Sequence, residues 1–172
     1  VLLMNSGYHA NTGTIPALSD GARTLIVADR LVHASIIDGI ILSRAPFERF
    51  RHNDTKHLAS ILDKHARDYE RVIIVTESVF SMDGDKAPLE RIAELRREYP
   101  NSLLYVDEAH AFGVEGSQGL GLAQDIPDAD VIIGTFGKAC ASVGAFVAVR
   151  NNDLRDLMVN RARSFIFSTA LP

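Results

Sequence analysis

Short apolar segments recur along the chain, and polar or amphipathic stretches separate them. Seven of these segments have the length and composition of β-strands: 1–5, 23–29, 47–53, 71–78, 103–108, 130–137 and 144–150. The segments 71–78, 103–108 and 130–137 are almost continuously apolar. A strand without polar alternation is typical of a parallel sheet that is covered on both faces. The pattern therefore predicts a sheet of seven strands.

Between the strands, apolar residues recur at the spacing of an α-helix. Helices are predicted within 33–43, 54–70, 87–100 and 152–165. In the second of these, Leu58 and Leu62 fall on one side behind Asp54, a residue type that caps helix N-termini. In the third, Pro88 fits the first helical position. Strands that alternate with helices predict a three-layer α/β/α domain.

One strand is expected to run against the others. Little more than the segment around Lys138 separates the runs 130–137 and 144–150. A parallel return would need a crossover of roughly a dozen residues. The predicted fold is therefore α/β, with a mostly parallel seven-stranded sheet and an antiparallel member near its end.

Composition narrows the possible classes of protein. The chain has 172 residues, 47% of them hydrophobic and 23% charged, which suits one globular domain. A net charge of -4 gives no basic face for nucleic acid or an anionic membrane. The apolar runs are too short to span a bilayer. The single cysteine, Cys140, is compatible with a reducing compartment, and we expect a cytoplasmic protein.

Polar residues gather where the predicted strands end. They are Asn5, Ser6 and Gly7 after the first strand, Glu77 and Ser78 after the fourth, Asp107 and Glu108 after the fifth, and Thr135 to Lys138 after the sixth. In open α/β sheets, ligands bind beyond the carboxyl ends of the strands. A functional site is therefore predicted at this edge of the sheet.

The segment 5–13 follows a strand and is predicted to open a helix. The backbone amides of Ser6, Gly7 and Tyr8 could receive a phosphate at that helix N-terminus, where glycine permits a close approach. An ordinary strand-to-helix turn has the same pattern. The segment by itself leaves both interpretations open.

Asp107 and His110 lie at the end of the fifth strand in YVDEAHAFG, a segment that allows several functions. The carboxylate could face a cationic ring nitrogen, with the imidazole near another polar atom of the same ligand. As a metal site the segment offers too few ligands, and no metal is predicted. As a helicase motif it lacks a phosphate-binding loop, because Ala139 follows the only Gly-Lys pair. A structural aspartate with satisfied hydrogen bonds remains an alternative.

Lys138 lies between a strand and a run of small residues. Either its stem packs and its head reaches solvent, or its amine reacts to form an imine. An unperturbed lysine titrates near ~10.4, so a neutral amine at pH 7 costs roughly 4 kcal/mol, which a permanent imine with a bound aldehyde largely avoids. The lysine loop, an aspartate at a neighbouring strand end and a phosphate-receptive helix together predict a pyridoxal phosphate site.

Seven motifs then carry a resemblance to a known family: NSGYHAN, ADRLVHASIIDGI, FRHNDTKHL, TESVFSMDGDKAPL, VDEAHAFGVEGSQGLG, TFGKACASVGAF and FSTALP. In this order they resemble the α-oxoamine synthases, a branch of the fold-type-I pyridoxal phosphate enzymes. The resemblance implies an acyltransferase that condenses an amino acid with an acyl-CoA or acyl-carrier thioester and releases carbon dioxide.

The resemblance also implies roles for single residues. Lys138 is similar to the cofactor-bearing lysine, Asp107 to the partner of the pyridine nitrogen, and His33 to the histidine that stacks on the ring. His110 and Ser81 resemble the groups around the phenolic oxygen of the ring.

Five further residues resemble cofactor- and phosphate-binding positions. Gly7, Tyr8 and Thr135 resemble positions that hold the cofactor and its phosphate. Ser168 and Thr169 resemble a segment that family dimers lend to the phosphate site of the neighbouring subunit. A homodimer is therefore expected, without nucleic acid or membrane partners.

The substrates stay open within the family. The segment DEAHAFGVEG favours the branch that joins alanine to a pimeloyl thioester in biotin synthesis, whereas HASIIDGI also resembles branches that use glycine. A branch that joins serine to a palmitoyl thioester is a further alternative. An inactive scaffold with the same fold is a further alternative, which Lys138, Asp107 and His33 oppose. Because both ends look cut, we expect residues 1–172 to be the cofactor-binding large domain of a longer protein, without its N-terminal segment and its C-terminal small domain.

Overall fold

The structure, a computed structural model, describes residues 1–171, and each of the seven predicted strands forms there. Their bounds are β1 Leu2–Met4, β2 Thr24–Asp29, β3 Phe47–Phe50, β4 Arg71–Glu77, β5 Ser102–Asp107, β6 Ala129–Thr135 and β7 Ala145–Val149. The central strands β2, β4 and β5 are buried almost throughout. This burial on both faces is the physical reason for their uninterrupted apolar sequence.

The strands form one sheet in the order β1-β7-β6-β5-β4-β2-β3. β3, β2, β4, β5 and β6 pair in parallel, whereas β7 pairs antiparallel with both β6 and β1. The predicted antiparallel strand is thus confirmed, and it lies inside the sheet between β6 and the edge strand β1. The carboxyl ends of β1, β2, β4, β5 and β6 consequently point to the same edge.

Six α-helices lie within the described residues: α1 Gly7–Leu18, α2 Ala34–Ser43, α3 Thr55–His65, α4 Leu89–Glu98, α5 Asn152–Arg161 and α6 Arg163–Ile166. Asp54 caps α3 as predicted, since its carboxylate accepts from the His57 amide at 2.9 Å. Two predicted boundaries differ. Pro88 occupies the N-cap of α4 and not its first turn. The helix predicted over 152–165 is broken at Ala162, where the chain turns so that Ser164 reaches the His9 carbonyl at 2.6 Å.

The order of the strands assigns the helices to two layers. The crossovers through α1 and α2 lead toward the β3 edge, whereas those through α3 and α4 lead back toward β5. Because crossovers are right-handed, opposite directions place their helices on opposite faces. In agreement, α1 packs with α2, α5 and α6, while α3 packs with α4. The α/β/α prediction is confirmed.

No helix among residues 1–171 is long and apolar enough to cross a bilayer.

Candidate active site

A cavity of about 220 Å³ lies at the carboxyl ends of the parallel strands, beside the start of α1. Seven of the ten predicted site residues line it: Gly7, Tyr8, His33, Asp107, His110, Thr135 and Lys138. These residues are spread over the sequence from Gly7 to Lys138, and they meet because the parallel strands that precede them end at the same edge of the sheet. The structure therefore supplies one place in which the predicted roles could be carried out.

Three predicted residues lie elsewhere. Ser168 and Thr169 border a second cavity of about 380 Å³. The Asn5 side-chain amide donates to the Ser168 hydroxyl at 2.7 Å and to the Thr169 carbonyl at 2.9 Å, so this segment is tied to the end of β1. Ser81 is exposed in the turn that follows β4 and is not among the residues lining the first cavity. The roles implied for these three residues stay predictions.

The N-terminus of α1 forms one wall of the first cavity. Ser6 caps the helix, because its hydroxyl accepts from the His9 amide at 3.2 Å and its carbonyl from the Ala10 amide at 2.9 Å. The preceding amides of Gly7 and Tyr8 belong to the first turn, which has no intrahelical acceptor for them. These two N–H groups and the positive end of the helix dipole suit an anion.

Asp107 ends β5 and is 5% exposed. Its Oδ1 accepts from the Ala109 amide at 2.9 Å, and its Oδ2 accepts from the side-chain amide of Asn11 at 2.8 Å. Each oxygen keeps further acceptor capacity, since a carboxylate has about four lone-pair sites. A buried carboxylate held in this way is suited to a cationic N–H group in the cavity.

Glu77 is a second buried carboxylate in the same wall. It ends β4 directly beside Asp107 in the register of the sheet. Burial and the neighbouring Asp107 carboxylate raise the pKa of Glu77 to about 7. Its Oε1 accepts from the His33 backbone amide at 2.5 Å, which opposes that rise and ties the start of α2 to the sheet.

His33 precedes α2 and acts as its N-cap. The Ser35 amide donates to His33 Nδ1 at 3.1 Å, so Nδ1 carries no proton and the ring proton lies on Nε2. The Ser35 hydroxyl lies 2.8 Å from the same nitrogen and can donate to it. The imidazole at the cavity is thereby fixed in one tautomer.

Lys138 and His110 add two further basic groups to the cavity beside the His33 imidazole. Lys138 is exposed in the loop between β6 and β7 and forms no ion pair with the described residues. Burial and the nearby ammonium of Lys138 lower the pKa of His110. His110 is therefore biased toward its neutral form, in which it can donate or accept a hydrogen bond.

Three packed aromatic rings support the loop that carries Lys138. The rings of Phe112, Phe136 and Phe146 pack against one another, with 4.9 Å between the centroids of Phe112 and Phe146. In β6, Gly134 leaves room for this packing, since a Cβ there would lie 2.2 Å from the Phe146 ring. Thr135 fixes the base of the loop, because its hydroxyl donates to the Gly144 carbonyl at 3.2 Å.

Sequence reasoning missed several residues of the cavity, among them Asn11, Ser35 and Glu77. Glu77 was recognised only as a polar residue at a strand end. Asn11 and Ser35 lie inside the motifs NSGYHAN and ADRLVHASIIDGI, and the only signal that the sequence offers for Asn11 is a polar amide side chain within a predicted helix.

The residues present fit the aldehyde cofactor that the resemblance implies. The cavity offers an amine, a buried carboxylate, the N-terminus of a helix and two imidazoles, which suit an aldehyde, a ring nitrogen, a phosphate and a flat ring, respectively. In the described residues, no group of three or more His, Cys, Asp or Glu side chains could hold a metal ion.

Comparison with known proteins gives three findings. The family model for class I and II aminotransferases matches residues 1–172. A relative from Pasteurella multocida, provisionally named 8-amino-7-oxononanoate synthase, is 58% identical over 99% of this chain and 44% of its own length. One from Neisseria meningitidis with the same name is 56% identical over 99% of this chain and 45% of its own length. The chain thus spans less than half the length of these curated relatives.

Three solved structures with the same fold are α-oxoamine synthases. The serine palmitoyltransferase of Sphingomonas wittichii has a TM-score of 0.92 at 33% identity and covers 99% of this chain and 43% of its own. The 8-amino-7-oxononanoate synthase of Francisella tularensis has a TM-score of 0.84 at 34% identity, covering 99% of this chain and 49% of its own. A further serine palmitoyltransferase structure contains pyridoxal phosphate. It has a TM-score of 0.91 at 33% identity, and the match covers 99% of this chain and 43% of the other. These findings confirm both the fold class and the family resemblance.

Proposed function

This chain belongs to the class I and II aminotransferase family, and we propose that it binds pyridoxal 5'-phosphate and joins an amino acid to an acyl thioester with loss of carbon dioxide. When bound, the cofactor supplies an aldehyde that condenses with amines and a ring that accepts electrons from the substrate α-carbon. The observation that carries the proposal is the meeting of the Lys138 amine, the Asp107 carboxylate and the start of α1 in one cavity.

Lys138 is proposed to hold the cofactor covalently and then to move a proton at the substrate α-carbon. Its place in an exposed loop leaves the amine accessible from solvent. Because the loop packs on aromatic rings, its backbone would keep the Lys138 amine beside the substrate α-carbon after the amine has been released from the cofactor. His33, held in its Nε2–H tautomer, is proposed to cover one face of the ring.

Asp107 is proposed to accept a hydrogen bond from the protonated ring nitrogen. A carboxylate in a shielded site stabilises positive charge on that nitrogen more strongly than water does. This charge makes the ring a better electron acceptor, and so Asp107 would lower the barrier to forming a carbanion at the α-carbon. His110 and Ser81 are proposed to contact the phenolic oxygen of the ring.

The phosphate is proposed to lie at the start of α1. The Gly7 and Tyr8 amides would donate to it, together with the hydroxyl of Thr135. Ser168 and Thr169, which lie outside this cavity, are proposed to complete the phosphate site of a neighbouring subunit in a cytoplasmic homodimer. The tie from Asn5 to this segment would hold it in place.

For the substrates we propose L-alanine and a pimeloyl thioester, which would give 8-amino-7-oxononanoate for biotin synthesis. Support comes from the names of relatives that are 58% and 56% identical. Serine palmitoyltransferase activity is the second candidate, because those structures have TM-scores of 0.91 to 0.92 with this chain. Their identity of 33% is much lower, which favours the first candidate.

Covalent trapping tests the cofactor site. The full-length protein is loaded with pyridoxal phosphate and reduced with borohydride, and mass spectrometry locates the added mass. The mass is expected on Lys138 and is expected to be absent from the Lys138→Ala protein. Labelling at another lysine would contradict the proposal.

A substrate matrix tests the reaction. Alanine, glycine and serine are each combined with acetyl, succinyl, pimeloyl and palmitoyl thioesters, and thiol release is measured. The alanine–pimeloyl pair is expected to be fastest. Preference for serine with palmitoyl thioester would support the second candidate instead.

A further inference from the structure

Asn11 connects three parts of the fold inside the wall of the cavity. It lies in α1, is 2% exposed and borders the cavity. One N–H of its side-chain amide donates to Asp107 Oδ2 at 2.8 Å, and the other donates to the Ser35 hydroxyl at 2.9 Å. Its Oδ1 accepts from the Tyr105 hydroxyl at 2.6 Å. Both N–H groups and the carbonyl oxygen are therefore used.

The orientation of this amide follows from Tyr105. The phenol is fully buried, and burial raises its pKa well above its ordinary value, so it keeps its proton and donates it. Asn11 must then present its carbonyl oxygen to Tyr105 and its NH₂ group to Asp107. A flipped amide would place its oxygen against Asp107 Oδ2 and its NH₂ group against the O–H donor of Tyr105.

The close packing of α1 on α2 maintains this arrangement. Gly39 lies one turn after Ser35 in α2, and a Cβ at Gly39 would lie 2.8 Å from the Asn11 carbonyl oxygen of the backbone. The helices can therefore approach until the Asn11 amide reaches the Ser35 hydroxyl. Ser35 in turn lies 2.8 Å from His33 Nδ1, which continues the connection to the cavity.

We propose that Asn11 is a positioning residue for the cofactor: its amide donates to the Asp107 carboxylate and holds it in the orientation that faces the pyridine nitrogen. This inference rests on the proposed function. Asn11 acts through Asp107, because a hydrogen bond donated to a carboxylate stabilises its charged form and fixes its rotamer. Asn11 should therefore increase the binding affinity only of a ligand that carries a nitrogen at that ring position.

The experiment compares two ligands of nearly the same shape. Dissociation constants are measured for pyridoxal phosphate and for its deaza analogue, in which carbon replaces the ring nitrogen. The full-length protein is used as it is and with Asn11→Leu, Asn11→Ser or Thr14→Val. Thr14 is a matched control, since it is buried one turn further along α1 and lines no part of this cavity.

Both Asn11 variants are expected to bind pyridoxal phosphate about 10- to 100-fold more weakly, the range for one hydrogen bond to a charged group. Their affinity for the deaza analogue should stay nearly constant, as should both affinities of Thr14→Val. Tyr105→Phe should cause a smaller selective loss, because it frees the amide without removing it. Asn11→Ser keeps the test available if Asn11→Leu fails to fold.

Two results would overturn the role of Asn11. Equal weakening of both ligands would mean that Asn11 only supports the fold, and unchanged affinity would mean that Asp107 needs no support. Failure of the unaltered protein to bind pyridoxal phosphate would instead refute the proposed function.

Discussion

Replacing Glu77 with glutamine should make the protein more stable at high pH and leave it unchanged at low pH. The carboxyl group is 2% exposed and lies beside Asp107 on the adjacent strand. Its pKa is raised from 4.5 to about 7, first by burial and then by Asp107. In the unfolded chain neither influence acts, so the native protein binds this proton more tightly than the unfolded chain does.

The sign of the effect follows from this difference. Below pH 4.5 the group is protonated in both states and costs nothing. Between pH 4.5 and about 7 the unfolded chain gives up this proton to water while the native protein still holds it, and above about 7 the native protein has to bury the charge. The free energy of unfolding falls over this window by about 3 kcal/mol, since one pKa unit corresponds to about 1.4 kcal/mol.

Glutamine has nearly the same shape and never ionises. Its Oε1 can still accept from the His33 amide, and its NH₂ group borders the cavity, where water can reach it. The variant should therefore lack the loss of stability that wild type shows between about pH 4 and about pH 8. Relative to wild type it should gain up to about 3 kcal/mol at the upper end.

Equilibrium urea unfolding of the cofactor-free protein at a series of pH values measures this gain. Glu48→Gln is the matched control, because Glu48 is an exposed glutamate of β3 that forms no ion pair with the described residues. Its replacement should give a free-energy difference from wild type that does not change with pH. A free-energy difference between Glu77→Gln and wild type that stays constant from low to high pH would refute the reasoning. A difference that shrinks in an Asp107→Asn background would assign part of the effect to the neighbouring charge.

Three further predictions concern the site and its support. Asp107→Asn, assayed at a saturating concentration of pyridoxal phosphate so that its weaker binding does not limit occupancy, should show cofactor absorbance but lower turnover by at least about a hundredfold, as for loss of one electrostatic contact to the transition state; equal turnover would remove Asp107 from the mechanism. Gly134→Ala should destabilise the protein by about 1–3 kcal/mol in thermal unfolding, since its Cβ would overlap the Phe146 ring, and a second substitution, Phe146→Leu, should recover part of that loss. Ser78→Ala should cost about 1–3 kcal/mol in urea unfolding, because Glu108 Oε2 loses the hydroxyl that donates to it at 2.7 Å; no cost would show that water replaces the serine.

Local patterns in the sequence determined the elements of this fold. The runs that became β4 and β5 are apolar because both of their sides are covered, and this coverage is visible in the sequence alone. Asp54 was recognisable as a cap, since capping involves residues only three positions apart. Lys138, Asp107 and the start of α1 were recognisable as a set because each follows a strand, and parallel strands end at one edge.

Only the tertiary structure decided how those elements meet. The hydrogen bond from Asn11 to Asp107 joins residues 96 positions apart, and no periodicity reports such a contact. The break at Ala162 has no local signal, because alanine favours helix and the turn arises from the contact of Ser164 with α1. The raised pKa of Glu77 likewise depends on tertiary structure, because it comes first from burial and then from the register that places Glu77 beside Asp107. Spacing along the chain encodes which side of an element is buried, whereas the identity of the neighbour across that surface depends on strand order and helix packing.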